Sequence, residues 1–122
     1  MVRKIIDFEM INVETAYEIC LSMPECQEYE HFDKVGFKAN KSTFITLNLE
    51  EKWCTLKFLP VQQAEFCEHP ANFPVPNKWG KLGWTHCELE KISKDDFLLF
   101  VKIAWQNVLS KKMIKEYVEI KT

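Results

Sequence analysis

The stretch from Lys78 to Trp84 is the part of this 122-residue chain whose residue types most clearly suggest a chemistry. Two lysines and two tryptophans lie within these seven residues, together with two glycines. Indole rings can stack on nucleobases, and ammonium groups can pair with phosphates. The spacing therefore predicts a local nucleic-acid contact made by Lys78, Trp79, Lys81 and Trp84.

Two neighbouring segments could enlarge this contact. Lys38 and Lys41 would join it if their predicted hairpin lies alongside the loop, and Trp53 would extend the aromatic surface from the polar side of its strand. The opposing interpretation is that Trp79 and Trp84 anchor an irregular loop to the sheet, while the lysines keep it soluble. Because a long loop needs anchors and tryptophan is usually buried, this opposing interpretation is favoured.

An acidic segment near the N-terminus is the second candidate site. Glu14 and Glu18 lie four residues apart on one face of a predicted helix, and further carboxylates follow at Glu25, Glu28, Glu30 and Asp33. These carboxylates are scattered, with no spacing that closes a shell around an ion. A solvated acidic surface is the default interpretation.

Catalytic motifs are missing from the sequence. The histidines that could act as bases near neutral pH are His31, His69 and His86, and no Gly-x-Ser-x-Gly, Walker or dinucleotide-binding motif accompanies them. None of the five cysteines stands in Cys-x-x-Cys spacing, so free thiols are expected rather than a zinc or redox site. A Cys/His dyad assembled in space stays open, but the sequence predicts a protein that is not an enzyme and has no cofactor.

Composition and charge limit the kind of protein that can carry these candidate sites. The chain is 47% hydrophobic and 28% charged, which predicts one globular domain spanning residues 1–122. Its longest apolar runs are far shorter than the ~20 residues of a membrane span, and Asp7 interrupts the N-terminal one, so we expect a cytoplasmic monomer without a membrane partner. The net charge is −2, and residues 1–33 alone carry −6, so any nucleic-acid contact must be a local patch.

Hydrophobic periodicity predicts helices at both ends of the domain. Asn12 is a suitable N-cap for a first helix that ends at Pro24, and an acidic connector follows over residues 25–33. Ser93 and Asp96 suggest a capping box for a long helix that runs to about Ser110. Its apolar stripe comprises Phe97, Phe100, Val101, Ala104, Trp105 and Val108. Residues 2–8 fit a strand or a helical turn, and residues 113–120 fit a helix or a strand.

Between these helices the alternation of apolar and polar residues predicts a sheet. Three strands are expected over residues 35–39, 45–49 and 53–58, and a fourth over 84–89. A short helix over 61–68 and an irregular stretch over 71–83 separate the third strand from the fourth. This order predicts a two-layer α+β sandwich, in which helices cover one face of an antiparallel sheet.

Two segments of the chain resemble a known family. Tyr17–Glu25, with its Met-Pro ending, resembles the opening helix of the small bacterial proteins called MmcQ/YjbR. Val75–Thr85, which reads VPNKWGKLGWT, resembles the most recognisable loop of that family. The resemblance runs from about residue 12 to residue 112, with the segments in the same order as in the family.

The resemblance implies a fold similar to that of CyaY, the bacterial frataxin, with helices at both ends of a twisted antiparallel sheet. It also implies a DNA-binding label, which rests on an analogy of fold and transfers no catalytic residues. The predicted function is a non-enzymatic bacterial binding module with nucleic acid as the leading ligand. The alternative, which the frataxin-like fold implies, is binding of a metal ion or a protein partner through the acidic N-terminal region, with Glu14 and Glu18 as a weak metal site.

Overall fold

The computed structural model describes residues 10–118, so the predictions for residues 2–8 and 119–120 lie outside the described part of the chain. Helix α1, Val13–Leu21, begins at the predicted N-cap, where Asn12 Oδ1 accepts a hydrogen bond from the Thr15 amide at 2.8 Å. Its buried side chains are Ala16, Ile19 and Cys20.

Six strands form one antiparallel sheet in the order β1-β2-β3-β4-β6-β5. Their bounds are β1 Gln27–His31, β2 Lys34–Ala39, β3 Ser42–Asn48, β4 Trp53–Lys57, β5 Asn72–Pro74 and β6 Trp84–Glu88. The four predicted strands are confirmed, since they correspond to β2, β3, β4 and β6.

Two strands contradict the predicted connectors. The acidic connector over residues 25–33 contains β1, and the irregular stretch over 71–83 contains β5 and the short helix α3, Lys78–Lys81. β1 has the sequence QEYEH and β5 has the sequence NFP, so neither shows a strand-like apolar alternation. Both lie at the edges of the sheet, where backbone hydrogen bonds to one neighbouring strand stabilise the extended conformation that the local sequence does not favour.

The predicted long helix is divided in two. Helix α4 covers Lys94–Gln106, and helix α5 covers Lys111–Tyr117. Asn107 ends α4, and its side-chain amide donates hydrogen bonds to the Lys57 carbonyl at 2.9 Å and to Gln62 Oε1 at 2.8 Å. Ser110, the predicted end of the long helix, is instead the N-cap of α5. The short helix predicted over 61–68 is α2, Pro60–Phe66.

The hydrophobic core lies between the sheet and helices α1 and α4. Helix α4 packs against β3 and β4, and α1 packs against α4. The predicted stripe of α4 is buried from Phe97 to Trp105, whereas Val108 follows the helix and is half-buried. The architecture is therefore α+β, an antiparallel sheet with flanking helices. Within residues 10–118, none of the helices is long and apolar enough to cross a membrane.

Candidate ligand groove on the open sheet face

The sheet face opposite α1 and α4, which we call the open face, is organised by the strand register. One register row crosses all six strands through Tyr29, Gly36, Thr46, Thr55, His86 and Phe73. The middle of this row carries small side chains and its ends carry rings. A sheet with small residues at its centre and aromatic residues around them forms a groove.

This groove has a volume of about 440 Å³. Three threonines from the central strands lie in it: Thr43, Thr46 and Thr55. The larger side chains that surround them are Tyr29, His31, Lys34, Trp53, Trp79 and Trp84. The volume lies within the usual range for small-molecule sites, and the lining of aromatic rings with a few polar groups is typical of them.

Gly36 allows a tyrosine to lie across the sheet. A Cβ at Gly36 would overlap the ring of Tyr29, its register partner on β1. The Tyr29 hydroxyl lies 2.5 Å from Thr43 Oγ1, and Thr46 Oγ1 lies 2.5 Å from Thr55 Oγ1. Two pairs of hydroxyl groups therefore lie at the base of the groove.

Lysine side chains lie over four of the rings that line the groove. The Nζ atoms of Lys34 and Lys38 are each 5.4 Å from a ring centroid, of Trp53 and Tyr29 respectively. Lys57 lies over Trp84 at 5.6 Å, and Lys78 lies over Trp79 at 5.8 Å. All four distances are within the ~6 Å range of cation–π contacts, so the rings and ammonium groups of the groove are paired along its length.

The structure also explains how the loop before β6 is held without burying its tryptophans. Gln63 Nε2 donates hydrogen bonds to the Gly80 carbonyl at 2.9 Å and to the Trp84 carbonyl at 3.0 Å. Close backbone contacts at Gly80 and Gly83 leave no room for a Cβ. Trp79 is consequently 50% exposed, and Trp84 is half-buried at the groove.

The residues predicted for nucleic-acid binding do not all come together. Trp79 and Trp84 line the groove, and Lys38 and Lys78 lie over rings that do. Lys81 is exposed and does not line the groove; together with Lys78 it lines a second, more open depression that includes Gln63 and Asn77. Lys41 is exposed in the turn between β2 and β3 and does not line the groove.

Several groove residues were not predicted from the sequence. Thr55 and Lys57 lie on the polar side of a predicted strand and Lys34 directly precedes another, so extending strict alternation could have identified them. Tyr29 and Phe73 lie on β1 and β5, the strands that the sequence pattern does not indicate.

A model of the YjbR family matches residues 21–107 of the sequence. The chain belongs to the YjbR family. The matched range lies inside the resemblance predicted over residues 12–112. No curated protein matches the sequence.

Two solved structures share the fold of this YjbR-family chain. The Deinococcus radiodurans protein DR2400, described with the domain DUF419, has a TM-score of 0.72 and 18% identity, with 90% of each chain covered. A Pseudomonas syringae protein has a TM-score of 0.66 and 12% identity, covering 81% of this chain and all of its own. At these identities the similarity shows the fold alone.

One histidine and two cysteines of this YjbR-family chain are engaged in structural contacts, whereas His31 lines the groove. His69 Nδ1 accepts the Ala71 amide at 3.0 Å, and its Nε2 lies 3.2 Å from Asp96 Oδ2, so both ring nitrogens have partners. Burial raises the pKa of the Cys20 and Cys54 thiols well above the usual value, which disfavours the reactive thiolate.

The acidic alternative gains no geometric support. Glu14 and Glu18 are both exposed on α1. Among residues 10–118, no three His, Cys, Asp or Glu side chains are grouped so that they could hold a metal ion.

Proposed function

We propose that the open face of the sheet binds single-stranded nucleic acid. The observation that carries the proposal is the set of four lysine–aromatic pairs around one groove. Rings stack on bases of any sequence, and nearby ammonium groups neutralise the phosphates between those bases. Because bases in a duplex expose only their edges in the grooves, base stacking on these rings requires a single strand.

The charge on the open face supports this ligand although the whole chain is slightly acidic. Glu28 and Glu30 are register partners of Phe37 and Val35, so they lie on the face of the sheet that carries the helices. Glu88 is on the open face, but Lys91 pairs with it at 2.8 Å and lowers the pKa of its carboxyl. The carboxylates of β1 thus point away from the groove, whereas Asp33, which follows β1, pairs with Lys34 at the groove at 3.4 Å.

Binding would replace the lysine ammonium groups on the rings by nucleobases. In the free protein Lys34 lies over Trp53, and Lys57 lies over Trp84. An incoming base takes the place of the ammonium group on the ring face, and the released ammonium group pairs with a phosphate. Each ring then gains base stacking, and Lys57 exchanges a cation–π contact for a stronger charge pair, whereas for Lys34 the phosphate also replaces its pair with Asp33.

The proposal is for a binding module rather than an enzyme. Both nitrogens of His69 are used in the turn before β5 and at the start of α4. His86 is stacked between two rings, Trp53 and Phe73, with centroid distances of 4.6 and 4.5 Å. These contacts leave both histidines in structural roles.

The test is a salt titration of binding to a labelled oligothymidylate about twelve nucleotides long, which is within the usual site size. Fluorescence anisotropy should show binding that weakens with salt, with a log–log slope of about −3 for four phosphate contacts. The double variant K34Q/K57Q should make the slope shallower by about 1.4. The matched control K94Q/K102Q changes the same charge at exposed positions of α4, across the sheet from the groove, and should keep the slope.

Absence of binding at ~100 μM protein and ~20 mM salt would rule out this function, because non-specific binding of nucleic acid is ordinarily detectable there. Equal loss in the groove variant and in the α4 control would show that binding depends on overall charge and not on the groove.

A further inference from the structure

The hydroxyl groups at the base of the groove have unused hydrogen-bonding capacity. Thr46 and Thr55 form one hydroxyl pair, and Tyr29 and Thr43 form the other. In each pair one hydroxyl donates its proton to the other oxygen, so the O–H of the second hydroxyl has no acceptor within the pair. Within residues 10–118, these four hydroxyls make no other hydrogen bond to the protein.

The free O–H groups determine which hydrogen-bonding groups a ligand must place against the base of the groove. A ligand that displaces water from the floor must offer hydrogen-bond acceptors, because an unmet buried donor costs about 1–3 kcal/mol. The surrounding rings require that these acceptors lie on the edge of a flat molecule. Thymine and uracil offer two carbonyl acceptors, one for each free O–H group, whereas the edges of adenine that carry its amino donor each offer a single ring-nitrogen acceptor.

We propose that the groove seats one base of the bound strand with its carbonyl edge on the hydroxyl pairs, so that the site prefers thymine or uracil to adenine. This inference rests on the proposed function and assigns the choice of base to Thr46, Thr55, Tyr29 and Thr43. The stacking rings tolerate any base, so the preference arises at the floor.

The test uses single-stranded oligonucleotides that are abasic at every position except the central one. This position carries thymine, adenine or difluorotoluene, the apolar shape analogue of thymine. Because three of the four tryptophans line the groove, quenching of intrinsic fluorescence reports its occupancy. The wild type should bind the thymine strand about tenfold more tightly than either of the others, as expected for about 1.4 kcal/mol of hydrogen bonding.

The variant T46V/T55V removes one hydroxyl pair without changing side-chain shape, and it should bring the thymine and difluorotoluene strands within about twofold of each other. T55S keeps a hydroxyl at this position and should keep the preference, and Y29F, which keeps the ring, tests the second pair independently of threonine packing. T15V makes the same change on α1, outside the groove, and should behave as the wild type.

Equal wild-type affinity for the three base-bearing strands would overturn the inference, as would an unchanged preference in both T46V/T55V and Y29F. In either case, tighter binding of these strands than of a fully abasic strand would leave the proposed function intact. Absence of binding to any oligonucleotide would overturn both.

Discussion

Trp53 and His86 stack on the open face of the sheet, with ring centroids 4.6 Å apart and planes inclined by 29°. They are diagonal neighbours, since the register partner of Trp53 is Glu88 and that of His86 is Thr55. Phe73, from the strand on the other side of β6, stacks on the same imidazole at 4.5 Å. Burial among these rings lowers the pKa of His86, against a smaller opposing effect of Glu88.

This lowered pKa predicts a pH-dependent stability. The folded state disfavours the imidazolium, so the contribution of His86 is complete above the unfolded pKa of about 6.5 and declines as pH falls toward the folded pKa. Urea unfolding at about pH 8, 6.5 and 5 should show the decline. H86F keeps the ring stack and should show a smaller decline than the wild type. An equal decline in both proteins would assign the effect to other groups, such as carboxylates.

Trp105 should be a major contributor to stability. It is 4% exposed, and its Nε1 donates a hydrogen bond to the Pro24 carbonyl at 3.0 Å, which joins α4 to the end of α1. W105A should lower the free energy of unfolding by ~3–5 kcal/mol in urea titrations. L99A, at a 48% exposed position of the same helix, should change it by no more than ~0.5 kcal/mol. A loss below ~1 kcal/mol for W105A would contradict its core position.

The glycines of the site should differ in their tolerance of alanine. At Gly83, where φ is +110°, a Cβ would overlap the Phe58 carbonyl, so G83A should cost more than ~2 kcal/mol in unfolding experiments. At Gly36 the overlap is with the movable ring of Tyr29. G36A should therefore cost less stability but weaken oligonucleotide binding, because the ring leaves the groove. The opposite order of stability losses would argue against this difference between backbone and side-chain overlap.

A substitution in the turn at Asn40–Lys41 should change the stability of the fold without changing nucleic-acid binding. Both residues have positive φ, 51° and 66°, and Asn40 Nδ2 donates a hydrogen bond to the Val108 carbonyl at 2.9 Å, near the end of α4. Because glycine is preferred at the second position of such a turn, K41G should stabilise the fold by ~0.5–1 kcal/mol. Lys41 does not line the groove, so affinity and salt slope should stay unchanged. A slope shallower by about 0.7 would place Lys41 in the nucleic-acid contact, as the sequence pattern suggests.

Part of the fold follows from short stretches of sequence. Asn12 and Ser93 cap their helices through hydrogen bonds to amides three residues away, so the signal and the structure lie in the same few residues. The alternation of β2, β3, β4 and β6 is equally local. The YjbR resemblance was also carried by two short segments, and it holds across residues 21–107.

Other features depend on residues distant in the sequence. Helix α4 ends at Asn107 because its side chain bonds to Lys57 and Gln62, 50 and 45 positions away. β1 and β5 are strands because β2 and β6 pair with them, not because their own residues favour extended structure.

The candidate site shows the same division. The combination of cations with stacking rings at Lys78, Trp79 and Trp84 is visible in the sequence, since these residues are neighbours in the chain. The hold of Gln63 on the loop, the groove that the indoles line, and the positions of Lys34 and Lys57 over its rings depend on the folded sheet. The physical reason is strand register: antiparallel pairing brings Tyr29, Gly36, Thr46 and Thr55 into one row, and no local sequence pattern encodes which residues of separate strands become neighbours.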